Sequence, residues 1–515
     1  MDYPRQYNAA VDFVDRNVEA GRGDKVAFID PERHLTYGAL KDDCQRMGQL
    51  LADQGIGPES RIAMLVLDTV DFPVIFWGAI REGVVPVALN TLLTTEQYRY
   101  ILADCRAKAL FVSAPLLEVV APLIDELPRL EHVFVVGGKT GSHIEFTPAL
   151  RARASGRAPV ETCADETAFW LYSSGSTGMP KGVRHVHTSA METARLYGQG
   201  VLGIREDDIG YSAAKLFFAY GLGNGMTFPM SVGATTVLWP QRPTPGAVLA
   251  QLKEHQVTIF YGVPTLYAAL LADPDCTPEN GSACLRACVS AGEALPEEVG
   301  KSWRERFGVD ILDGVGSTEL LHIFLSNRPG EVRYGRSGRA VPGYDLRLVD
   351  EDGQPVPDGE IGELLVRGPS QPEGYWNQRA KTLATFQGEW ARTGDKYIRD
   401  KGGLYEYCGR TDDMFKVSGN WVSPFEVESA LISHPAVLEA AVVPFEDEDS
   451  LLKPKAYVIL KEGEAGDALF EALKEHVKGK VGAWKYPRQI EFVTELPKTA
   501  TGKIQRFKLR GEGAP

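Results

Sequence analysis

Tyr172-Ser-Ser-Gly-Ser-Thr-Gly-Met-Pro-Lys-Gly182 decides how the rest of this chain is read. Small side chains and hydroxyls followed by a lysine make a loop whose backbone N–H groups and Ser/Thr hydroxyls can turn toward one anion. Ser173, Ser174, Gly175, Ser176, Thr177, Gly178 and Lys181 therefore read as a phosphate cradle. It is not the common P-loop, which needs Gly-Lys-Ser/Thr running straight into a helix. Here Met179 and Pro180 separate Gly178 from Lys181, and Gly182 follows. Residues 168–172 before the loop and 183–187 after it alternate as strands do, so the spacing predicts a strand-to-strand turn. A bare glycine-rich match is equally an ordinary mobile loop; the ordered hydroxyl–glycine string ending in Pro-Lys-Gly is what argues for phosphate.

The chain has 515 residues, 44% hydrophobic and 24% charged, enough for roughly three or four core-bearing units. A net charge of −14 argues against nucleic acid or an anionic membrane as partner, so small-molecule ligands are expected, with the chain a monomer or homodimer. Residues 1–7 carry no basic-then-apolar leader, and apolar runs such as 62–67 and 74–80 fall far short of the ~18 residues of a membrane span. A cytoplasmic address is expected. Seven scattered cysteines with no CxxC pair indicate neither a disulfide framework nor a zinc site and read as buried thiols.

Outward from the loop, residues 36–54 place apolar side chains at helical spacing behind a Thr36 cap, with Gly55 as the stop. Strands at 61–67, 84–89, 110–113 and 133–136 alternate with helices at 71–81 and 94–105, a doubly wound α/β pattern. A second α/β run follows the loop, with strands at 234–239, 257–261 and 285–290 and helices at 245–255, 264–271 and 296–307. Two such sheets can stack around a cleft at the carboxyl ends of their strands. From about 327 to 410 short strands broken by Gly and Pro predict a small β subdomain, and after 410 the pattern changes to a compact α+β unit.

Three clusters join the loop. Asp313-Gly-Val-Gly-Ser-Thr-Glu319 projects a hydroxyl and a carboxylate at a strand end, where a carboxylate can hold Mg²⁺ through a nucleotide phosphate. Trp390-Ala-Arg-Thr-Gly-Asp395 puts an aspartate behind a glycine turn, suited to accept from two ribose hydroxyls. Pro497-Lys-Thr-Ala-Thr-Gly-Lys503 presents a lysine on a Gly/Thr loop. Alone, Glu319 reads as a surface acid, Asp395 as a turn former and Lys503 as a solvated charge. Their joint occurrence in this order carries the argument.

In that order the clusters resemble the adenylate-forming superfamily of acyl- and aryl-CoA ligases, luciferases and peptide-synthetase adenylation domains, from Thr36-Tyr37 to Lys503. The resemblance implies an N-terminal domain over 1–410, made of α/β subdomains 1–165 and 166–326 and a β subdomain 327–410. It also implies a small mobile lid domain over 411–515, pivoting at Asp412. ATP, Mg²⁺ and CoA are implied as cosubstrates and cofactor. By this likeness residues 173–181 hold the ATP phosphates, Thr318 contacts the α-phosphate, Glu319 binds Mg²⁺, and Asp395 and Arg410 hold the ribose. Glu293, Asp313 and Gly314 belong to the nucleotide site, Lys503 bridges the acyl carboxylate and the α-phosphate, and Gly419 and Asn420 face a pantetheine tunnel. Val315 departs from the pattern, standing where the family commonly stacks an aromatic residue on adenine.

The acid pocket is expected between residues 215–223 and 320–324, with Phe218, Ala219, Tyr220, Ala291, Gly292, Gly316, His322 and Ile323 forming a flat apolar slot. Domains that activate amino acids place an aspartate in the first segment to pair with the ammonium; Ala219 leaves that charge unpaired, at a cost of several kcal/mol. Both segments resemble benzoate-CoA ligases. That likeness makes His322 a pocket wall that hydrogen-bonds the carboxylate rather than a general base. Lys215 receives no role, and His185 and His187 are expected to pack beside the phosphate loop. The reading is thus an AMP-forming ligase for benzoate or a close relative such as 4-hydroxybenzoate or 2-aminobenzoate. Loading of an aryl acid onto a carrier protein and a nucleotide sensor without chemistry are the competing readings. The sensor predicts a damaged Glu319 or Lys503, and both are intact. Gly182 after Lys181 disfavours a P-loop kinase.

Overall fold

Thr36 accepts a hydrogen bond from the Ala39 N–H at 3.2 Å and starts the Tyr37–Asp53 helix, which ends before Gly55, whose φ of +68° suits a residue without a Cβ. Thr94 and Gln97 form a reciprocal capping box on the Thr95–Cys105 helix. These local signals stand as expected in the computed structural model of the chain, which describes residues 3–138, 141–173, 179–417, 420–447, 451–461, 465–482, 485–498 and 504–510.

Two large sheets make up most of the molecule. The eight-stranded sheet runs, edge to edge, Gly374–Tyr375, Lys181–Val186, Thr167–Ser173, Val85–Ala88, Arg61–Leu65, Ala109–Ser113, His132–Val136, Ile144–Glu145. The nine-stranded sheet runs Arg339–Ala340, Ile323–Ser326, Ile311–Gly316, Ala287–Ser290, Ile259–Gly262, Ile209–Ser212, Thr235–Val237, Val26–Ile29, His34–Thr36. Their central strands pair in parallel and are buried on both faces, which explains their continuous Val/Ile/Leu character. The Asp71–Arg81 helix is buried along its whole length. Its Phe76 lies 5.3 Å from Phe169 of the first sheet, and its Trp77 indole meets the Met230 sulfur at 3.2 Å. One apolar core joins side chains of both sheets, including Ile62, Met64, Phe28, Ile259 and Val289.

The sheets exchange strands across the expected boundary at residue 165. The paired strands 167–173 and 181–186 belong to the first sheet, while 26–29 and 34–36 lie at the edge of the second. The first strand past residue 327, Arg339–Ala340, extends the second sheet rather than the β subdomain. Strand order is decided by which exposed edge finds a partner, and local propensity carries no information about that. The five-stranded β subdomain sheet holds Asp345–Val349, Ile361–Arg367, Phe386–Gln387, Trp390–Arg399 and Tyr405–Arg410. The last part of the chain is a three-stranded sheet, Val437–Glu446, Leu452–Leu460 and Gln489–Phe492, covered by the Pro424–Ile432 and Asp467–Val481 helices around its own core. All seven cysteines are free. No helix among the described residues is long and apolar enough to cross a membrane.

Candidate active site

The flanks of the loop pair with each other: 167–173 runs antiparallel to 181–186, Ser173 opposite Lys181. The two strands deliver both residues to one carboxylate, which the nine-stranded sheet supplies just past its Ile311–Gly316 strand. Ser173 Oγ donates to Glu319 Oε1 at 3.2 Å, and Lys181 Nζ lies 3.7 Å from the same oxygen. A residue that sequence reasoning missed completes the corner. Tyr375 donates its hydroxyl to Glu319 Oε1 at 2.9 Å, accepts from Lys181 Nζ at 3.3 Å, and offers that ammonium its ring face at 4.4 Å. Tyr375 arrives because Gly374–Tyr375 adds as an edge strand beside Val183 and Arg184. In sequence only the aromatic pair Tyr375-Trp376 amid turn-rich chain marks it.

No group of three or more His, Cys, Asp or Glu among the described residues would hold a metal alone. One carboxylate flanked by hydroxyls fits Mg²⁺ instead, because that ion keeps waters and takes further ligands from nucleotide phosphates.

Asp313 closes the strand-end row. It lies in register with Ser290, which is itself opposite Gly262 on the next strand. Burial pushes its carboxyl well above the carboxylate range, and Oδ1 has no hydrogen-bond partner, so it awaits a donor. Gly316 is required by close approach, since a Cβ would fall 2.6 Å from the His322 carbonyl oxygen; a Cβ on Gly314 would fall 2.7 Å from Ile323 Cδ1, a side-chain end that can shift. Thr318 and Glu319 follow on the turn. On the β subdomain Asp395 and Arg410 face each other across antiparallel strands, Arg410 Nη1 donating to Asp395 Oδ1 at 3.0 Å and to the Thr393 carbonyl at 2.9 Å. Asp412 follows at once; its carbonyl accepts from Arg510 Nη2 at 3.1 Å, and Arg510 also pairs with Asp413 at 2.5 Å.

Phe218, Ala219 and Tyr220 lie at the start of the Ala219–Leu222 helix. The Tyr220 hydroxyl is 3.1 Å from each of two strand carbonyls, Gly262 and Val289, so its donor is spent on main chain and is not presented to a ring substituent. His322 Nε2 lies 3.2 Å from the Tyr220 carbonyl and 3.1 Å from Asn224 Oδ1, which fixes the proton on Nε2. The ring packs on Tyr197, Tyr220 and Phe228 at 5.5, 5.6 and 4.4 Å. Its only N–H is engaged and its Nδ1 is bare and buried, so the expected hydrogen bond from His322 to a carboxylate has no donor here. Asn224, Tyr197 and Phe228 were invisible as site residues because only the bundle of helix and strand ends brings them to His322. Ala291 is buried and Gly292, at φ +96°, turns the chain after Ser290 toward Glu293. Of the histidines expected near the loop, His185 stacks on Phe169 at 5.2 Å, whereas His187 Nδ1 accepts the Ala9 N–H at 3.1 Å and ties down the N-terminal segment. Lys215 is held by the carbonyls of Trp239 and Gln241, the second at 2.7 Å.

Two predictions arise from this packing. A Cβ on Gly223 would meet His322 Cδ2 at 2.3 Å, and the ring is bonded and packed too firmly to yield. G223A therefore costs about 1–3 kcal/mol by overpacking, more than the ~1 kcal/mol that alanine gains in a helix. A urea midpoint equal to or above wild type refutes this. Burial also lowers the imidazole pKa to about 3 for His185 and His322 and about 4 for His187. Each folded-state value lies below the unfolded ~6.5, so the unfolded chain binds more protons and stability is lost as pH falls below that value. The loss is about 2 kcal/mol per histidine near pH 5. H185Q should remove about that much of the stability difference between pH 7 and pH 5; an unchanged difference counts against a neutral, buried His185.

Several expected site residues lie outside the described residues: Ser174, Gly175, Ser176, Thr177, Gly178, Gly419 and Lys503. Asn420 is described as backbone in the Asn420–Val422 strand.

Residues 14–376 match the family model for AMP-binding enzymes, and residues 426–503 match that for the C-terminal domain of AMP-binding enzymes. The chain belongs to the AMP-binding enzyme family. It is 57% identical over 510 residues to the 4-hydroxybenzoate–CoA/benzoate–CoA ligase of Rhodopseudomonas palustris, covering 98% of this chain and 94% of that protein. It is equally 57% identical over 510 residues to the benzoate–CoA ligase of Thauera aromatica, covering 98% and 96%. Among solved structures, an anthranilate CoA ligase in complex with anthranoyl-AMP superposes with a TM-score of 0.95 at 44% identity, covering 99% of this chain and 97% of that one. As in its structural neighbours, a large N-terminal domain is followed by a small C-terminal one, and AMP-binding enzymes of this kind use ATP and CoA.

Proposed function

We propose that this chain is an ATP-dependent aryl acid–CoA ligase whose acid is benzoate, converting benzoate, ATP and CoA to benzoyl-CoA, AMP and diphosphate. The observation that carries the reading is the Phe218-Ala219-Tyr220 wall closed by a neutral His322, on a chain 57% identical to two ligases named for benzoate. With the Tyr220 and His322 donors consumed by main chain and Asn224, the slot offers an aryl ring no charge. A substituted benzoate, 4-hydroxybenzoate or 2-aminobenzoate, is the second reading, supported by the names of the R. palustris relative and the anthranilate ligase.

The reaction runs in two steps. A carboxylate oxygen attacks the α-phosphorus of ATP, the bond to the bridging oxygen breaks, and diphosphate leaves an acyl adenylate. The CoA sulfur then attacks the acyl carbon and AMP leaves. Both first-step reactants are anions, so the chain must place positive groups where they meet. In this reading Lys181 and residues 173–178 receive the β- and γ-phosphates, Thr318 the α-phosphate, and the bare Asp313 Oδ1 the adenine amino group, with Glu293 and Gly314 beside it. Arg410 holds the Asp395 carboxylate toward the ribose hydroxyls. Bound through Glu319 and the nucleotide's own phosphates, Mg²⁺ would spread the charge that develops on diphosphate. Lys503, on the C-terminal domain, bridges carboxylate and α-phosphate in the first step. The domain then turns at Asp412, and Gly419 and Asn420 face the pantetheine arm.

The test is AMP release with ATP, Mg²⁺ and CoA across benzoate, 4-hydroxybenzoate, 2-aminobenzoate, cinnamate, hexanoate and phenylalanine. Benzoate is expected to lead by about tenfold or more in kcat/KM, the value of one methylene-scale misfit or one unpaired polar group. Preference for hexanoate or cinnamate would show the slot open beyond Tyr220. Turnover that needs a phosphopantetheinyl protein in place of CoA would revive carrier loading.

A further inference from the structure

We propose that Tyr375 is a positioning residue of adenylation, whose hydroxyl spaces the Lys181 ammonium from the Glu319 carboxylate and keeps both available to an incoming metal–nucleotide. The inference rests on the ligase reading above. One phenol oxygen lies 2.9 Å from Glu319 Oε1 and 3.3 Å from Lys181 Nζ, while the cation and anion stand 3.7 Å apart, beyond the ~2.7–2.9 Å of a charge-assisted hydrogen bond. The phenol accepts from the ammonium and donates to the carboxylate, and its ring face, 4.4 Å from Nζ, satisfies the cation from below. Without the hydroxyl the two charges can close into direct contact. Their side chains are only 18% and 17% exposed, and in such a half-buried corner that pair is strong. A phosphate arriving for Lys181, or a cation arriving for Glu319, must then break it first.

The tyrosine is itself held by contacts that do not involve its hydroxyl. Its N–H donates to Thr382 Oγ1 at 3.1 Å, its ring lies 5.5 Å from Phe386, and its strand pairs with Val183. Y375F keeps all three and deletes the spacer, together with the hydroxyl's long 3.5 Å bond to Thr385 Oγ1. The hub draws on both large sheets, the loop-flanking strands and their Gly374–Tyr375 edge strand from one and the strand end that carries Glu319 from the other, so its geometry reports their assembly.

Calorimetric titration of the full chain with a non-hydrolysable ATP analogue and Mg²⁺ tests this. Y375F is expected to bind about tenfold more weakly, equivalent to ~1.4 kcal/mol, and to transfer a supplied benzoyl adenylate to CoA at the wild-type rate. In an E319Q background, where no ion pair can form, the same change should cost less than about twofold. Wild-type affinity in Y375F overturns the proposal, and so does an equal loss with Glu319 and with glutamine at that position. A tyrosine that serves only structure would slow both half-reactions in both backgrounds. Failure of the ligase reading looks different: the wild-type chain binds Mg²⁺ and the analogue but releases no AMP with any aryl acid.

Discussion

K503A is expected to slow benzoyl-adenylate formation by about 10²–10³-fold, the cost of removing one preorganised donor from a developing oxyanion. Transfer of a supplied benzoyl adenylate to CoA should stay within about threefold of wild type. The asymmetry follows from charge. In the first step a carboxylate and a triphosphate must approach, and in the proposed mechanism Lys503 is the cation that meets both. In the second step the attacking thiol meets an already activated acyl carbon, and AMP departs as a modest anion. In the proposed mechanism the C-terminal domain turns at Asp412, and Lys503 is needed only before that turn. Pyrophosphate exchange reads the first step and thioester formation from synthetic adenylate the second; equal slowing of both would refute the role.

E319Q is expected to lower adenylation by about 10²-fold and to raise the Mg²⁺ concentration needed for half-maximal rate. The substitution is nearly isosteric, so Ser173 and Tyr375 can still donate to the side-chain carbonyl, and only the charge is lost. Lys181, 3.7 Å away, loses its anionic neighbour and gains freedom to follow the phosphates, which offsets part of the nucleotide-binding cost. The predicted signature is therefore a larger fall in kcat than rise in KM for ATP. A rate unchanged at every Mg²⁺ concentration would remove Glu319 from the metal site.

Most of the elements were legible because their signals are local. Thr94 and Gln97 announce a capping box, Asp71–Arg81 is a helix by its apolar content and length, and the loop's flanks alternate as strands. In the strand-end cluster one glycine has a structural reason, since a Cβ on Gly316 would fall 2.6 Å from the His322 carbonyl oxygen. What escaped were partners made by assembly. His322 reads as a wall residue in sequence, yet its proton is spoken for by the Tyr220 carbonyl and Asn224, about a hundred residues earlier. Tyr220 looks like a free hydroxyl until its two strand carbonyls are seen. Tyr375 has no motif at all.

The sequence by itself determined the α/β class, the strands that flank the glycine-rich loop, the order of the acid, hydroxyl and lysine clusters, and the apolar character of segments 215–223 and 320–324. Each of these follows from side-chain chemistry and spacing along the chain. Only the tertiary structure decided which sheet each strand joins, which protons the Tyr220 and His322 side chains have left to offer, and that a phenol from an added edge strand touches both Lys181 and Glu319. Those depend on edges and hydrogen-bond acceptors hundreds of residues apart, and the free energy that pairs them is won by packing and not by local preference.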